Sequence, residues 1–463
     1  MKYFQKECTD KSIPIFVVSE QEWEAHDKSE KCLNESILEK FKGEGFQVFI
    51  DTDKKGVIVK VYAGISFSEN DPRNWMFLFA NLAKTLPSGV YQPEGIPEDK
   101  WYDAGIGWGL GFYEFTRYKK TKKTEEIKKL LVPETAQVQT WIHTLESVFL
   151  ARDLINTPAN DLGPYDMANQ AKELAEAFQA ELNVIKGADL LLEGYPAVYT
   201  VGHGSDRAPA LIDMNWGDQN NPKLTLVGKG VVFDTGGLNL KSAAGMRNMK
   251  KDMGGGAVAM ALAQLIMAEN LPVRLRLLIP TVENSPGMRG YRPGDVIQTR
   301  KGLSVEIGNT DAEGRVILCD ALASAAEENP DLILDFATLT GAARVALGQD
   351  LPPFYTPQKE LADVIHEAAE EVKDPLWQMP LWEPYYKYLK SDIADLNNIA
   401  NTPLAGSMTA ALYLWEFVKP LSNWVHLDIF GWRNDAMPGF PEGGEANSLR
   451  AIYRFLEKRY SSR

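Results

Sequence analysis

The run Leu224-Thr225-Leu226-Val227-Gly228-Lys229-Gly230-Val231-Val232-Phe233 is mostly apolar and stops at Asp234-Thr235-Gly236-Gly237. An apolar, β-branched run that ends on a glycine turn reads as a buried strand. Downstream, Gly254-Gly255-Gly256 opens a helix over Ala257 to Ala268, whose small residues allow close packing. Val273 to Ile279, Ser304 to Ile307 and Leu332 to Phe336 read as further strands, and Val316 to Glu328 as a helix. Strands alternating with helices in this way predict an α/β domain, a central mixed sheet flanked by helices on both faces. Upstream, the chain reads as a smaller mixed α/β unit, with strands at Phe46–Ile50 and Gly56–Tyr62. Arg117 to Lys129 carries Lys119, Lys120, Lys122, Lys123, Lys128 and Lys129. In an acidic chain this stretch reads as a solvated connector rather than an anion-binding patch. Pro133 and Glu134 open a helical pattern through Ile155, with Val138, Ile142, Leu145 and Phe149 spaced by three and four. The expected division is an N-terminal α/β domain over 1–130, a long connecting helix over 131–155, and a larger α/β domain over 156–463.

Composition narrows the function classes. The chain has 463 residues, 44% hydrophobic and 24% charged, which excludes disorder, collagen and low-complexity scaffolds. The oily stretch Ala257–Ala268 ends at Glu269-Asn270, and Leu396–Trp415 is broken by Asn, Thr, Pro, Gly and Ser, so no membrane span is expected. Met1-Lys2-Tyr3-Phe4-Gln5-Lys6-Glu7 has no apolar core of a secretory signal, and a cytoplasmic location is expected. Cys8, Cys32 and Cys319 form no C-x-x-C pair, in keeping with a reducing compartment. Forty-nine Lys and Arg against 63 Asp and Glu leave a net charge of −14, which repels phosphate backbones and anionic lipid. The five histidines, His26, His143, His203, His366 and His426, are scattered. Metal chemistry would therefore rest on carboxylates.

Several partial motifs do not hold. His366-Glu367-Ala368-Ala369-Glu370 lacks the second histidine of a zinc-protease helix and reads as a solvated helix face. Gly228-Lys229-Gly230 is not followed by the Ser or Thr of a phosphate loop. In Gly202-His203-Gly204-Ser205-Asp206 the serine falls after the second glycine, so no nucleophile elbow is present. Cys319, inside a helical apolar run, reads as core.

Charged residues concentrate where strands and helices meet glycine turns: Lys229 with Asp234, Lys241, Asp252, and Asn309-Thr310-Asp311-Ala312-Glu313-Gly314-Arg315. Ligands of open α/β sheets gather outside the carboxyl ends of the strands, where such junctions lie. Asp311 and Glu313 are two apart, so in an extended segment both would project to one side. An unbroken strand would send Lys229 and Asp234 to opposite faces; sharing a site requires a bend, which Gly228 and Gly230 can make. Singly, Asp252 reads as a helix cap and Asp311 as a turn residue. Together, four carboxylates in apolar surroundings repel one another unless cations balance them. Asp234, Asp252, Asp311 and Glu313 sum to four negative charges, the charge of two divalent ions. Hard oxygen ligands suit Mn²⁺, Zn²⁺ and Mg²⁺, and paired ions can polarise a carbonyl and activate water at neutral pH. Lys229 could join them only as the neutral amine. Lys241 and Arg315 would then be uncompensated cations, suited to an oxyanion or a held anion.

Three segments carry a family resemblance: Gly228 to Lys241 (GKGVVFDTGGLNLK), Lys251-Asp252-Met253-Gly254-Gly255, and Asn309 to Arg315 (NTDAEGR). Arg152-Asp153-Leu154-Ile155-Asn156-Thr157-Pro158-Ala159-Asn160 and Ala337-Thr338-Leu339-Thr340-Gly341 add to it. From about residue 150 to the C-terminus the chain resembles the cytosolic leucyl aminopeptidases, two-metal exopeptidases. Thr235 stands where many members have serine, and the first 115 residues match weakly. The resemblance implies Lys229, Asp234, Asp252, Asp311 and Glu313 as metal ligands, with Asp234 and Glu313 serving both ions. It implies that Lys241 polarises the scissile carbonyl and that Arg315 holds a bicarbonate ion as proton relay. Met249, Asn309, Thr338, Leu339 and Gly341 match positions around the substrate's first residue. A homohexamer acting on peptides with a free α-amine and an apolar first residue is the implied whole. The rival readings are a DNA-binding architectural protein, opposed by the acidic charge, and a Cys-Gly dipeptidase of thiol turnover.

Overall fold

The structure is a computed structural model and describes residues 2–7, 11–25, 40–65, 71–120 and 127–461. Cys8, His26, Cys32, Lys122 and Lys123 lie outside the described residues. The chain forms two compact units, Met1–Glu146 with Asn434–Glu442, and Ser147–Arg433 with Gly443–Arg463.

In the N-terminal unit the strands are β1 (Phe4–Gln5), β2 (Ile13–Val18), β3 (Val48–Thr52), β4 (Ile58–Gly64), β5 (Gly89–Glu94) and β6 (Lys128–Leu131). Among the described residues they form one sheet in the order β1-β6-β5-β2-β4-β3, parallel except for the β3–β4 pair. The basic stretch thus ends in a strand rather than in a connector. Lys128 is buried, and its ammonium donates to the Ala83 carbonyl at 3.1 Å. The alternating pattern of β6 sends Lys128 and Leu130 to the inner face, where Lys128's aliphatic stem can be covered. The long helix runs Val138–Asn156 and starts later than Pro133. Backbone pairing holds Val132 to Gln5, and Ala136 closes a turn on Pro133, so the helix cannot begin before them.

In the C-terminal unit the strands are β7 (Glu181–Lys186), β8 (Ala210–Trp216), β9 (Lys223–Gly228), β10 (Gly230–Asp234), β11 (Arg274–Asn284), β12 (Val296–Gln298), β13 (Ser304–Glu306), β14 (Leu332–Ala337), β15 (Pro353–Tyr355), β16 (Trp377–Gln378), β17 (Leu396–Asn397) and β18 (Trp424–Asp428). The main sheet runs β16-β15-β18-β14-β9-β11-β8-β7, with β10 paired to β11. Its centre, β18-β14-β9-β11, is parallel, and β8 and β7 add antiparallel strands on one side. The central strands are buried on both faces, as a parallel sheet under two helical layers must be. The helix Gly254–Ala268 packs with Pro164–Phe178 and Leu449–Tyr460, and Glu313–Glu327 packs with Pro196–Gly202 and Gly406–Val418. This is the expected mixed sheet flanked by helices.

Two elements differ from the expected ones. The Ser304 strand belongs to a separate small sheet, β12-β13-β17, not to the main one. β11 extends past Ile279 to Asn284, because Thr281 to Asn284 pair with β10, while the pairing with β8 ends at Thr281. Glycine packing brings the first layer close: a Cβ on Gly255 would lie 2.1 Å from the Phe336 carbonyl oxygen. Among the described residues no helix is long and apolar enough to cross a membrane.

Candidate metal centre

Four strand ends build the site. β9 stops at Gly228 and β10 resumes at Gly230, leaving Lys229 at a break between them. The Lys229 amide donates to Phe336 O at 2.9 Å, and its carbonyl accepts from Gly256 N at 2.7 Å. A register shift between Val231 and Phe233 follows. Break and shift together put Lys229 and Asp234 on the same site, as their sharing required.

The buried Lys229 ammonium lies 2.7 Å from Asp252 Oδ2 and 2.9 Å from Glu313 Oε1, and donates to Thr338 O at 3.2 Å. Room for it comes from Gly314, where a Cβ would lie 2.5 Å from Lys229 Cε. Lys241 stands between Asp234 (Oδ2 at 2.8 Å) and Asp311. Arg315 is buried, donates from Nη1 to Asn398 O at 2.9 Å, and makes no ion pair among the described residues. Its Nε is buried without a hydrogen-bond partner.

Asp311 and Glu313 do not lie in an extended segment. The Asn309 side chain accepts from Asp311 N at 2.8 Å and caps a 3₁₀ turn, Thr310–Ala312, that runs into the helix Glu313–Glu327. An Asn at this position favours the turn over extension by bonding its own backbone two residues on. The two carboxylates consequently diverge, Asp311 to Lys241 and Glu313 to Lys229. Asp252 is likewise not a side-chain cap. It sits in the 3₁₀ turn Met249–Met253, and its Oδ1 accepts from Thr338 Oγ1 at 2.8 Å.

Oxygens of Asp234, Asp252 and Glu313 come within 4.8 Å of one another. Burial raises the Asp234 carboxyl well above the usual range, and the neighbouring Glu313 charge adds to it. For Lys229, burial works against the charge, but Asp252, Glu313 and Asp234 outweigh it and hold the ammonium above its ordinary pKa. The amine therefore keeps its proton here, and that proton must leave for the nitrogen to bind a metal. Lys241 is raised in the same way, burial being overcome chiefly by Asp234. Burial lowers Arg315.

The donor set fits divalent cations. Asp252 Oδ2 and Asp311 Oδ1 are buried oxygens, each facing a lysine ammonium in ion-pair geometry and otherwise without a hydrogen-bond donor among the described residues. Hard oxygens of this kind, with an amine nitrogen at their centre, can hold Mn²⁺, Zn²⁺ or Mg²⁺.

Met249 is half-buried in the turn before Asp252, and Thr338, Leu339 and Gly341 follow β14. Asn284, at the end of β11, escaped sequence reasoning. Its buried Nδ2 donates to Asp234 Oδ1 at 2.8 Å and to Thr310 O at 3.0 Å, with Glu313 Oε2 at 3.5 Å. Its place at the carboxyl end of the strand lay beyond Ile279, where the sequence reading ended it. His366 lies on a helix 3.5 Å from Glu370, and Cys319 is buried in a helix, its Sγ 3.0 Å from Val316 O.

Both parts of the chain resemble known proteins. Residues 149–453 match the cytosol aminopeptidase family, catalytic domain, and residues 13–133 match the M17 aminopeptidase N-terminal domain. A probable cytosol aminopeptidase of Syntrophotalea carbinolica is 38% identical over 386 residues, covering 79% of this chain and 77% of the relative. The crystal structure of the cytosol aminopeptidase from Coxiella burnetii superposes with a TM-score of 0.91 at 44% identity, covering 99% of each chain. The bottromycin maturation enzyme BotP in complex with Mn superposes with a TM-score of 0.87 at 28% identity, covering 97% of this chain and 99% of that one. With both domains matched and relatives this similar along most of its length, the chain belongs to the M17 cytosol aminopeptidase family, metal-dependent hydrolases of peptide bonds.

Proposed function

We propose that the protein releases the first residue of peptides with a free α-amine, with a broad preference for apolar residues there. The centre would be dinuclear, held by Lys229, Asp234, Asp252, Asp311 and Glu313, with Asp234 and Glu313 shared. The observation that carries this reading is the convergence of Asp234, Asp252 and Glu313 around a lysine deprived of water. When bound, two such ions, Mn²⁺ or Zn²⁺ and also Mg²⁺, supply Lewis-acid polarisation of the peptide carbonyl and activation of a water nucleophile.

The chain's own residues do the rest. Lys241, more exposed than Lys229, would donate to the scissile carbonyl oxygen as negative charge grows on it. Arg315, without an ion-pair partner, would hold bicarbonate, which supplies a proton relay. Met249, Asn309, Thr338, Leu339 and Gly341 would bind the first side chain and the substrate backbone. The half-buried thioether of Met249 supports tolerance of apolar side chains.

The same proposal gives 1–130 an assembly or regulatory role, 131–155 the connection and 156–463 the catalysis, within a cytoplasmic homohexamer. Exposed apolar side chains in the C-terminal unit, Val345 at 90% and Leu404 at 72%, support association. Neither DNA binding nor Cys-Gly hydrolysis has support in the names of the relatives.

The test is hydrolysis of leucine p-nitroanilide by purified protein after chelator stripping and after adding Mn²⁺. Activity should vanish and return, and the N-acetylated substrate should stay uncut, a neutral amide being a poor metal ligand. Folded, metal-loaded protein inert with Mn²⁺, Zn²⁺ and Mg²⁺, or robust cleavage of the acetylated substrate, would sink this reading.

A further inference from the structure

We propose that Asp428 is a positioning residue that fixes the Thr338-Leu339-Thr340 turn against the Lys229–Asp252 pair and so sets both substrate and metal affinity. The inference rests on the two-metal reading above. Asp428 closes β18 and pairs in register with Ala337, the last residue of β14. The two strands therefore end side by side, and the chain after Ala337 turns over the Asp428 carboxylate.

That carboxylate is buried and takes four donors. Oδ1 accepts from Leu339 N at 3.0 Å and Thr340 N at 3.1 Å. Oδ2 accepts from Thr340 Oγ1 at 2.6 Å and Ser407 Oγ at 2.9 Å. Tyr355 Oη, on β15, donates to Ser407 Oγ at 2.8 Å, so β15 and the helix Gly406–Val418 both brace the same carboxylate. Thr340 Oγ1 also accepts from Ala343 N at 3.1 Å and caps the helix Gly341–Leu347.

The other side of the turn faces the proposed centre. Thr338 Oγ1 donates to Asp252 Oδ1 at 2.8 Å and to Asp252 O at 3.0 Å, while Thr338 O accepts from the Lys229 ammonium at 3.2 Å. Three consecutive residues are thus gripped by Asp428 on one side and by two proposed ligands on the other. Among the described residues Asp428 makes no hydrogen bond or ion pair to a proposed metal ligand. A carboxylate with every lone-pair direction used by the turn and its braces has a narrow choice of geometry, and charge-assisted bonds of this kind are strong. Outer partners of metal ligands typically change metal affinity by 10–100-fold when lost.

Asp428→Asn keeps the size and one acceptor oxygen but turns an N–H₂ group toward the two hydroxyls. The folded variant, checked by circular dichroism, should bind Mn²⁺ about tenfold more weakly by isothermal titration of chelator-stripped protein. At saturating Mn²⁺ its KM for leucine p-nitroanilide should rise several-fold, with kcat changed less. A purely structural role would lower the unfolding temperature and leave both affinities alone. Folded Asp428→Asn with wild-type Mn²⁺ affinity and KM overturns the inference. Should that variant not fold, Ser407→Ala decides: it removes one donor and the link to Tyr355, and should raise KM and weaken Mn²⁺ in the same direction, to a smaller extent. No change in folded Ser407→Ala would then overturn it. Wild-type protein that neither binds Mn²⁺ nor cleaves would bring down the two-metal reading and this inference with it. A normal wild type beside unaffected variants brings down this inference alone.

Discussion

Lys229 and Lys241 each stand between two carboxylates, yet their surroundings set them different tasks. Lys229 is enclosed by Asp252, Glu313 and the Thr338 carbonyl. Lys241 spans Asp234 and Asp311 at a more open edge, from which it would reach a substrate in the function we propose. Lys241→Ala should lower kcat by about 10²–10³-fold, the range for losing one oxyanion donor, with Mn²⁺ affinity nearly unchanged. Arg315→Ala should cost less, because it would act through a held anion rather than on the reacting carbonyl. Steady-state kinetics at saturating Mn²⁺ separates the two, and equal, trivial losses would remove both from the chemistry.

The helix Glu313–Glu327 is the element that most directly ties site to core. Its first turn carries Glu313 and Arg315, and further along it buries Asp320. Asp320 accepts from Ala197 N at 2.7 Å and Arg300 N at 2.8 Å, fastening the helix to the first turn of the helix Pro196–Gly202 and to the turn after β12. Burial nevertheless pushes its carboxyl up to about 7. A raised folded pKa means that the proton is held more tightly in the native state. The associated stability is complete below the unfolded value near 4 and is lost as pH rises toward 7. Urea unfolding should show wild type losing a few kcal/mol relative to Asp320→Asn between pH 5 and 8. A constant difference over that range would mean that the backbone donors, not burial, govern Asp320.

At the scale of the whole molecule, metal binding and stability are linked. An ion bound by the native C-terminal unit but not by the unfolded chain stabilises it by about 2.7 kcal/mol at about 100 times its Kd. Scanning calorimetry of chelator-stripped protein should therefore show an unfolding temperature that climbs with Mn²⁺ concentration. A transition indifferent to Mn²⁺ would mean that the carboxylates hold no ion in the folded chain.

The division between sequence and tertiary structure follows the range of the forces involved. Alternating apolar runs and glycine turns marked β9, β10, β14 and the helix Gly254–Ala268 because backbone and burial preferences act over a few residues. The same local signals placed Asp234, Asp252 and Glu313 at junctions. They could not show that Asn309 would cap a turn and send Asp311 and Glu313 to different lysines, since extension and turn differ little in local pattern. Nor could they mark Asn284 and Asp428, single polar residues that close apolar strands far apart in the chain. Parallel pairing of β18, β14, β9 and β11 brings the carboxyl ends of those strands together. The break at Lys229 turns its ammonium into that space. Those approaches, between residues as distant in the chain as Lys229 and Glu313, exist only once the sheet has formed, and they decide which charges meet.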